Sequence, residues 1–213
     1  MVEQQISNPR DGRERITDRR VLDAMLAVPR HAFVPASVRE HAYADSPLPI
    51  GHGQTISQPF MVATICAALQ LGPDARVLDV GTGSGYQAAV LAEIAAEVVT
   101  IERVPELAEQ ARETLARSGY DRVEVRVGDG TLGVPERAPY DGIAVAAAAP
   151  AVPATLYDQL AAGGRIVVPV GSLYDQWLEV VVRGPRGPEL VRSVPCRFVP
   201  LVGAAGFDES QAG

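Results

Sequence analysis

Arg76-Val77-Leu78-Asp79-Val80-Gly81-Thr82-Gly83-Ser84-Gly85-Tyr86 is the stretch on which the fold of this chain turns. Val77 to Val80 is a short, nearly unbroken apolar run, as expected of a strand buried on both faces of a parallel sheet. It stops at residues 81–85, a glycine-rich turn, and Tyr86 to Ala95 then runs apolar almost all round, like a helix pressed against a sheet. Strand, glycine turn and helix make the opening of a βα unit.

The alternation continues toward the C-terminus. Glu97 to Ile101 reads as a second strand. Pro105 suits a first helical turn, and Leu107, Ala111 and Leu115 repeat every four residues until Gly119. Val123 to Val127 alternates as a third strand, Asp141 to Ala146 forms a fourth, and Arg165 to Val170 a fifth after a Gly163-Gly164 turn. Trp177 to Val182 and Leu190 to Val194 flank a Gly/Pro turn and predict a hairpin. The expected fold is a doubly wound α/β sheet, mostly parallel, closing on an antiparallel C-terminal hairpin.

Toward the N-terminus, Asp18 is placed to cap a helix ending at Val28, with Val21, Leu22, Met25 and Leu26 as its apolar stripe and Pro29 as its stop. Residues 29–56 are rich in Pro and Gly and read as an irregular lobe. A second helix is expected to open at Ser57 as N-cap, with Pro59 in its first turn, and to end before Gly72. This divides the chain into a small N-terminal helical, substrate-facing lobe, 1–60, and a cofactor-binding domain, 61–213.

Bulk composition narrows the class. The chain has 213 residues, 47% of them hydrophobic, enough for a real core, and its formal charge is −7. That charge argues against a nucleic-acid partner, which needs clustered cations. Arg10, Arg13, Arg15, Arg19 and Arg20 read as a solvated face. Cys66 and Cys196 lack metal or disulfide spacing, the first twenty residues are polar, and no apolar run reaches membrane-spanning length. A cytoplasmic monomer that avoids membranes is expected, with no metal site.

Spacing then separates cofactors. A dinucleotide turn places glycines first, third and sixth. Here the third glycine is the fifth residue, Gly85, and Tyr86 takes the sixth place. Gly81-Thr82-Gly83-Ser84-Gly85 after a strand carrying Asp79 fits S-adenosylmethionine better than a pyrophosphate, because a sulfonium has no phosphate to cradle and gains from nearby carboxylates. Glu102 closes the second strand, where a carboxylate accepts hydrogen bonds from ribose hydroxyls, with Arg103 beside it. Gly128-Asp129-Gly130 ends the third, where Asp129 can meet an adenine edge while Gly130 clears space. After the fourth strand stands Ala147-Ala148-Ala149-Pro150, not the Asn/Asp-Pro-Pro-Tyr of many nitrogen methyltransferases. An ionised oxygen nucleophile needs neither that motif nor a metal.

Over about residues 18–207 the chain resembles the protein-L-isoaspartate O-methyltransferases. The most specific stretch is Gly51-His-Gly-Gln-Thr-Ile-Ser-Gln-Pro-Phe-Met-Val-Ala63, which generic methyltransferases lack. Residues 77–89, Ala138 to Asp141, Ala147 to Pro150, Gly163 to Gly171 and Phe198-Val-Pro-Leu201 with Gly203 and Gly206 are similar in order and spacing. The first seventeen residues match poorly, and Phe207 stands where many bacterial members have Trp. The resemblance implies a Rossmann-like class I methyltransferase fold, S-adenosylmethionine as cofactor, and isoaspartyl (with D-aspartyl) proteins and peptides as partners, in a repair reaction. It further implies that Ser57 is the active-site residue and that Ser57, Gln58, Pro59 and Phe60 border both substrate and cofactor. From the residues themselves, Ser57 reads as a helix cap, and the same helix N-terminus could hold the substrate's carboxylate. His52 is a weak candidate base, because a carboxylate is already ionised at neutral pH.

Three rivals remain at this level. A related enzyme methylating an Asp of one dedicated peptide would share these motifs and differ in residues 29–60. A nicotinamide oxidoreductase is opposed by Tyr86, and a non-catalytic cofactor-binding module by the full 51–63 motif.

Overall fold

In a computed structural model of the chain, which describes residues 1–9 and 11–211, Asp18 accepts the Arg20 N–H and opens α1 (Arg19–Ala27). Val21, Leu22, Ala24 and Met25 form its buried stripe. The irregular lobe that follows contains two 3₁₀ turns and a small hairpin of β1 (Leu48–Gly51) and β2 (Gln54–Ile56). Next comes α2 (Pro59–Leu69), buried on nearly every side.

The main sheet begins with β3 (Arg76–Val80), followed by α3 (Tyr86–Ala92), β4 (Glu97–Glu102), α4 (Pro105–Arg117), β5 (Glu124–Val127) and β6 (Tyr140–Val145). A one-turn helix, α5 (Ala154–Tyr157), leads to β7 (Leu160–Gly171), and β8 (Gln176–Gly184) and β9 (Gly187–Cys196) complete the sheet. Strand order is β5-β4-β3-β6-β7-β8-β9, parallel except that β8 runs antiparallel to both β7 and β9. The chain winds from β3 outward to β4 and β5, then returns to β6 on the other side of β3. Winding therefore reverses at β3, and ligand sites of open α/β sheets lie beyond the strand ends at such a point.

Successive strand residues feed two cores. Val77, Ala144, Val167 and Leu178 pack on the face that carries α2 and α3, while Leu78, Val80, Ile143 and Ile166 pack on the other. The first core is continuous with the N-terminal lobe, since Ile6, Met25 and Phe33 belong to the same cluster as Ala89 and Leu91. Arg30 adds a polar tie. It is fully buried, donates Nε–H to the Ala42 carbonyl at 2.7 Å and lies over the Tyr86 ring at 4.8 Å. Burial pushes its pKa down to about 10.

Three local expectations change. Gly163-Gly164 is no turn before a strand. It is a bulge inside β7, where Tyr140 and Gly142 pair with Leu160 and Arg165. A Cβ on Gly164 would meet the carbonyl oxygens of Ala161 and Tyr140, both at 2.9 Å, so the bulge requires glycine. The second change concerns Ser57, which does not cap α2. Gln58 is the N-cap and offers no side-chain bond. The Phe60 N–H is taken instead by the Asp45 carboxylate at 2.9 Å, delivered from the lobe. The basic run is not uniformly solvated either. Arg13 pairs with Asp45 at 2.6 Å and stacks 4.0 Å over Phe60, and Arg20 reaches the Leu71 carbonyl, while Arg10 lies outside the described residues.

Candidate active site

The loop after β3 crosses the switch point with left-handed φ values at Gly81, Gly83 and Gly85 (92°, 51° and 86°), where any side chain is strained. Two side chains of β4, Glu102 and Thr100, anchor it. Glu102, at the end of β4, accepts the Gly83 N–H on one oxygen at 2.9 Å and the Val104 N–H on the other at 3.1 Å. One further lone pair on each oxygen is left for a ligand. Beneath the loop, Thr82 and Thr100 share a hydroxyl hydrogen bond of 2.7 Å, and Thr100 donates to Asp79 Oδ2 at 2.8 Å. Gln87 Nε2 donates to Asp79 Oδ1 at 2.8 Å.

Asp79 is fully buried, and burial pushes its carboxyl up to about 6 against the bonds from Gln87 and Thr100, with the Glu102 charge pushing the same way as burial. The folded protein therefore keeps a proton that the unfolded chain has already released. This stabilisation is present at low pH and is lost as pH climbs through the window from about 4 to about 6, by on the order of 3 kcal/mol for a two-unit shift. The expected result is a carboxyl carbon resonance of Asp79 titrating near 6. A midpoint at the ordinary value near 4 would show the group to be solvated.

Above the loop lies a cleft of about 370 Å³, within the roughly 300–1,000 Å³ usual for small-molecule sites. Its walls are Gly81 to Ser84, Glu102, Arg103, Gly130, His52 to Ser57 of the lobe, Ala146-Ala147 and Val199 to Val202. The loop glycines, the Glu102 carboxylate and the cleared floor at Gly130 suit a nucleoside with an amino-acid tail. A Cβ on Gly130 would come within 2.7 Å of Val80. Of the residues picked out in the sequence, Gln58 and Phe60 line a neighbouring cavity, while Pro59, Asp79, Gly85 and Asp129 line neither. Gly85 packs against Leu115, and Asp79 supports the loop from below. Asp129 is engaged elsewhere. Its Oδ1 accepts the Thr131 N–H and hydroxyl, and its Oδ2 accepts the Ala204 N–H at 2.8 Å. Partial burial works against these bonds, yet the carboxyl stays below its usual range.

The neighbouring cavity, about 900 Å³, opens between the lobe, α2 and the end of β9. Thr55, Ser57, Ala146, Val199 and Pro200 border both spaces. Ser57 thus stands at the neck, and among the described residues its hydroxyl has no hydrogen-bond partner, because Asp45 has taken over the helix cap.

A C-terminal strap closes the roof of the smaller cleft. The Ala148 N–H donates to the Val199 carbonyl at 2.8 Å and the Leu201 N–H to the Ala148 carbonyl at 2.6 Å. The small side chains of 147–149 leave room for this backbone pairing. Ala205 donates to the Thr131 hydroxyl at 3.0 Å, and Glu209 meets Arg103 at 2.6 Å across the cleft mouth.

Against known proteins, residues 3–206 match the profile of the protein-L-isoaspartate(D-aspartate) O-methyltransferase family (PCMT). The chain belongs to that family. A protein-L-isoaspartate O-methyltransferase of Opitutus terrae is 54% identical, covering 94% of this chain and 84% of its own length. A solved protein-L-isoaspartate O-methyltransferase superposes with a TM-score of 0.80 at 31% identity, over 88% of this chain and 62% of that longer one. A Plasmodium falciparum structure assigned to the same activity, in complex with S-adenosyl-L-homocysteine, superposes with a TM-score of 0.70 at 27% identity, over 86% and 90% of the two chains.

The family match begins at residue 3, so the N-terminal residues that look unlike the methyltransferases belong to one. Val2 and Ile6 are buried there, and the Ile16 N–H pairs with the Ile6 carbonyl. Sequence reasoning missed the wall made by the strap, although the Phe198 to Leu201 motif marked it. It also missed Thr82, Thr100 and Gln87 as a chain holding Asp79, and Asp45 as the cap of α2, which no local pattern signals. Among the described residues, no helix is long and apolar enough to cross a membrane.

Proposed function

We propose that this methyltransferase binds S-adenosylmethionine in the smaller cleft and an isoaspartyl peptide in the larger cavity, and methylates the free α-carboxylate where the two meet. The observation that carries this reading is the shared neck at Thr55, Ser57 and Ala146. Bound there, S-adenosylmethionine supplies a sulfonium methyl group as electrophile and leaves as a neutral thioether. Gly81 to Ser84, Glu102, Arg103 and Gly130, which line the cleft, would hold it. Residues 1–60 act as the substrate-facing lobe: Arg13, Pro47 and Thr55 to Phe60 support this by lining or flanking the larger cavity. The Ser57 hydroxyl donates to one carboxylate oxygen and leaves the other aimed through the neck. No base is required, because the nucleophile is already ionised, so His52, on the cofactor side, takes no proton. The methyl ester formed is electrophilic and collapses without the enzyme to a succinimide, part of which hydrolyses to normal aspartate. Both cysteines are free, which supports a reducing, cytoplasmic setting.

Two measurements test this. Labelled methyl transfer to several unrelated isoaspartyl peptides is expected for a repair enzyme, whereas transfer to only one flanking sequence would favour the peptide-maturation rival. Ser57→Ala is expected to lower turnover at least about tenfold, or about 1.4 kcal/mol of barrier. Its unfolding free energy should change by no more than about 0.5 kcal/mol, since the hydroxyl caps nothing. Normal turnover in the folded variant would remove Ser57 from the site.

A further inference from the structure

The chain carries a formal charge of −7, yet its larger cavity has the opposite sign. Three arginines line it, Arg13, Arg192 and Arg197, against one carboxylate, Glu14. Two of the cations are already answered. Arg13 pairs with Asp11 and Asp45, each at 2.6 Å, and Arg192 pairs with Glu14 at 2.8 Å. Arg197 is exposed, and among the described residues it makes neither an ion pair nor a hydrogen bond. Arg197 is therefore the one cation lining the cavity that has no carboxylate partner among the described residues.

With this cavity read as the peptide site, as proposed above, we infer that Arg197 is a specificity-determining residue that favours isoaspartyl peptides carrying a second carboxylate beside the damaged residue. The carboxylate to be methylated is the wrong partner for it. Esterification removes that group's negative charge, so a cation bound to it would stabilise the ground state more than the transition state and slow the reaction. A neighbouring carboxylate keeps its charge throughout and contributes to binding alone. Position sets the reach. Arg197 stands two residues before Val199, which borders both cavities, and two extended residues span about 7 Å. A Glu or Asp directly flanking the isoaspartyl residue at the neck lies within that distance.

The test uses isoaspartyl peptides that differ only in a flanking Glu, Gln or Lys, placed before or after the damaged residue. The wild-type protein is expected to show a KM for the Glu peptide roughly two- to fivefold below that for the Gln peptide, the range of a single exposed ion pair, shrinking as salt is added. The Lys peptide should be the poorest, and kcat should be alike for all three. Arg197→Gln is expected to erase the ranking and Arg197→Glu to invert it, with kcat retained, which a merely structural role would not produce. Equal KM values across the three peptides, or a ranking that survives Arg197→Glu, would overturn the role of Arg197 while leaving the repair reading intact. Absence of transfer to every isoaspartyl peptide would overturn both.

Discussion

Glu102→Ala is expected to weaken S-adenosylmethionine binding by about 1.5–3 kcal/mol, the range for hydrogen bonds to a charged group, or roughly ten- to 150-fold in Kd. In the proposed site the carboxylate does two jobs at once. Each oxygen already accepts one backbone N–H, from Gly83 and Val104, and each keeps a lone pair for the ribose hydroxyls. Removing it takes away one of the ties between the glycine loop and β4 and leaves those N–H groups without their partner. Glu102→Gln separates the two effects. Its single carbonyl oxygen preserves one backbone bond, but its NH₂ faces the other N–H, so affinity should fall between wild type and alanine. Calorimetry below the melting temperature reads the result. Unchanged affinity in a folded alanine variant would take the ribose role away from Glu102.

The second large effect is in the substrate. An isoaspartyl peptide should be methylated at least about a hundredfold faster than its aspartyl twin, because misplacing the reacting atoms by about 1 Å costs that order of rate. The twins differ only by one methylene moved between side chain and backbone, so their carboxylates are chemically alike. What differs is how far the carboxylate reaches through the neck past Ser57 while the peptide backbone lies in the larger cavity. Initial rates of labelled methyl transfer on matched peptides measure this directly, and equal labelling of both would sink the repair reading.

The two predictions draw on different levels of the molecule. Glu102 was legible because its place is local: an acidic residue closing the strand after a glycine turn has a fixed relation to that turn in any doubly wound sheet. The same holds for β3 to β6, whose apolar runs and intervening glycines announce their own periods. Ser57 was half legible. Its motif marked it, but an N-cap and a substrate ligand look identical in sequence, since both need a hydroxyl just before a helix. Only the arrival of Asp45 at the Phe60 N–H, fifteen residues away in the chain, took the capping role from it.

By itself, then, the sequence determined the order of the main-sheet strands and of α1 to α4, the antiparallel finish and the cofactor class, because each follows from hydrophobic period and glycine placement within a few residues. The tertiary structure decided what depends on distant segments meeting. It turned the Gly163-Gly164 pair into a bulge, laid residues 199–202 over the cleft, and engaged Asp129 with Thr131 and Ala204. It also moved Arg13 from a solvated face onto Phe60 and left Arg197 as the cavity's unanswered charge. Hydrogen bonds and ion pairs are settled by which partners the fold brings within reach, and nothing in a local window of residues records which distant partner that will be.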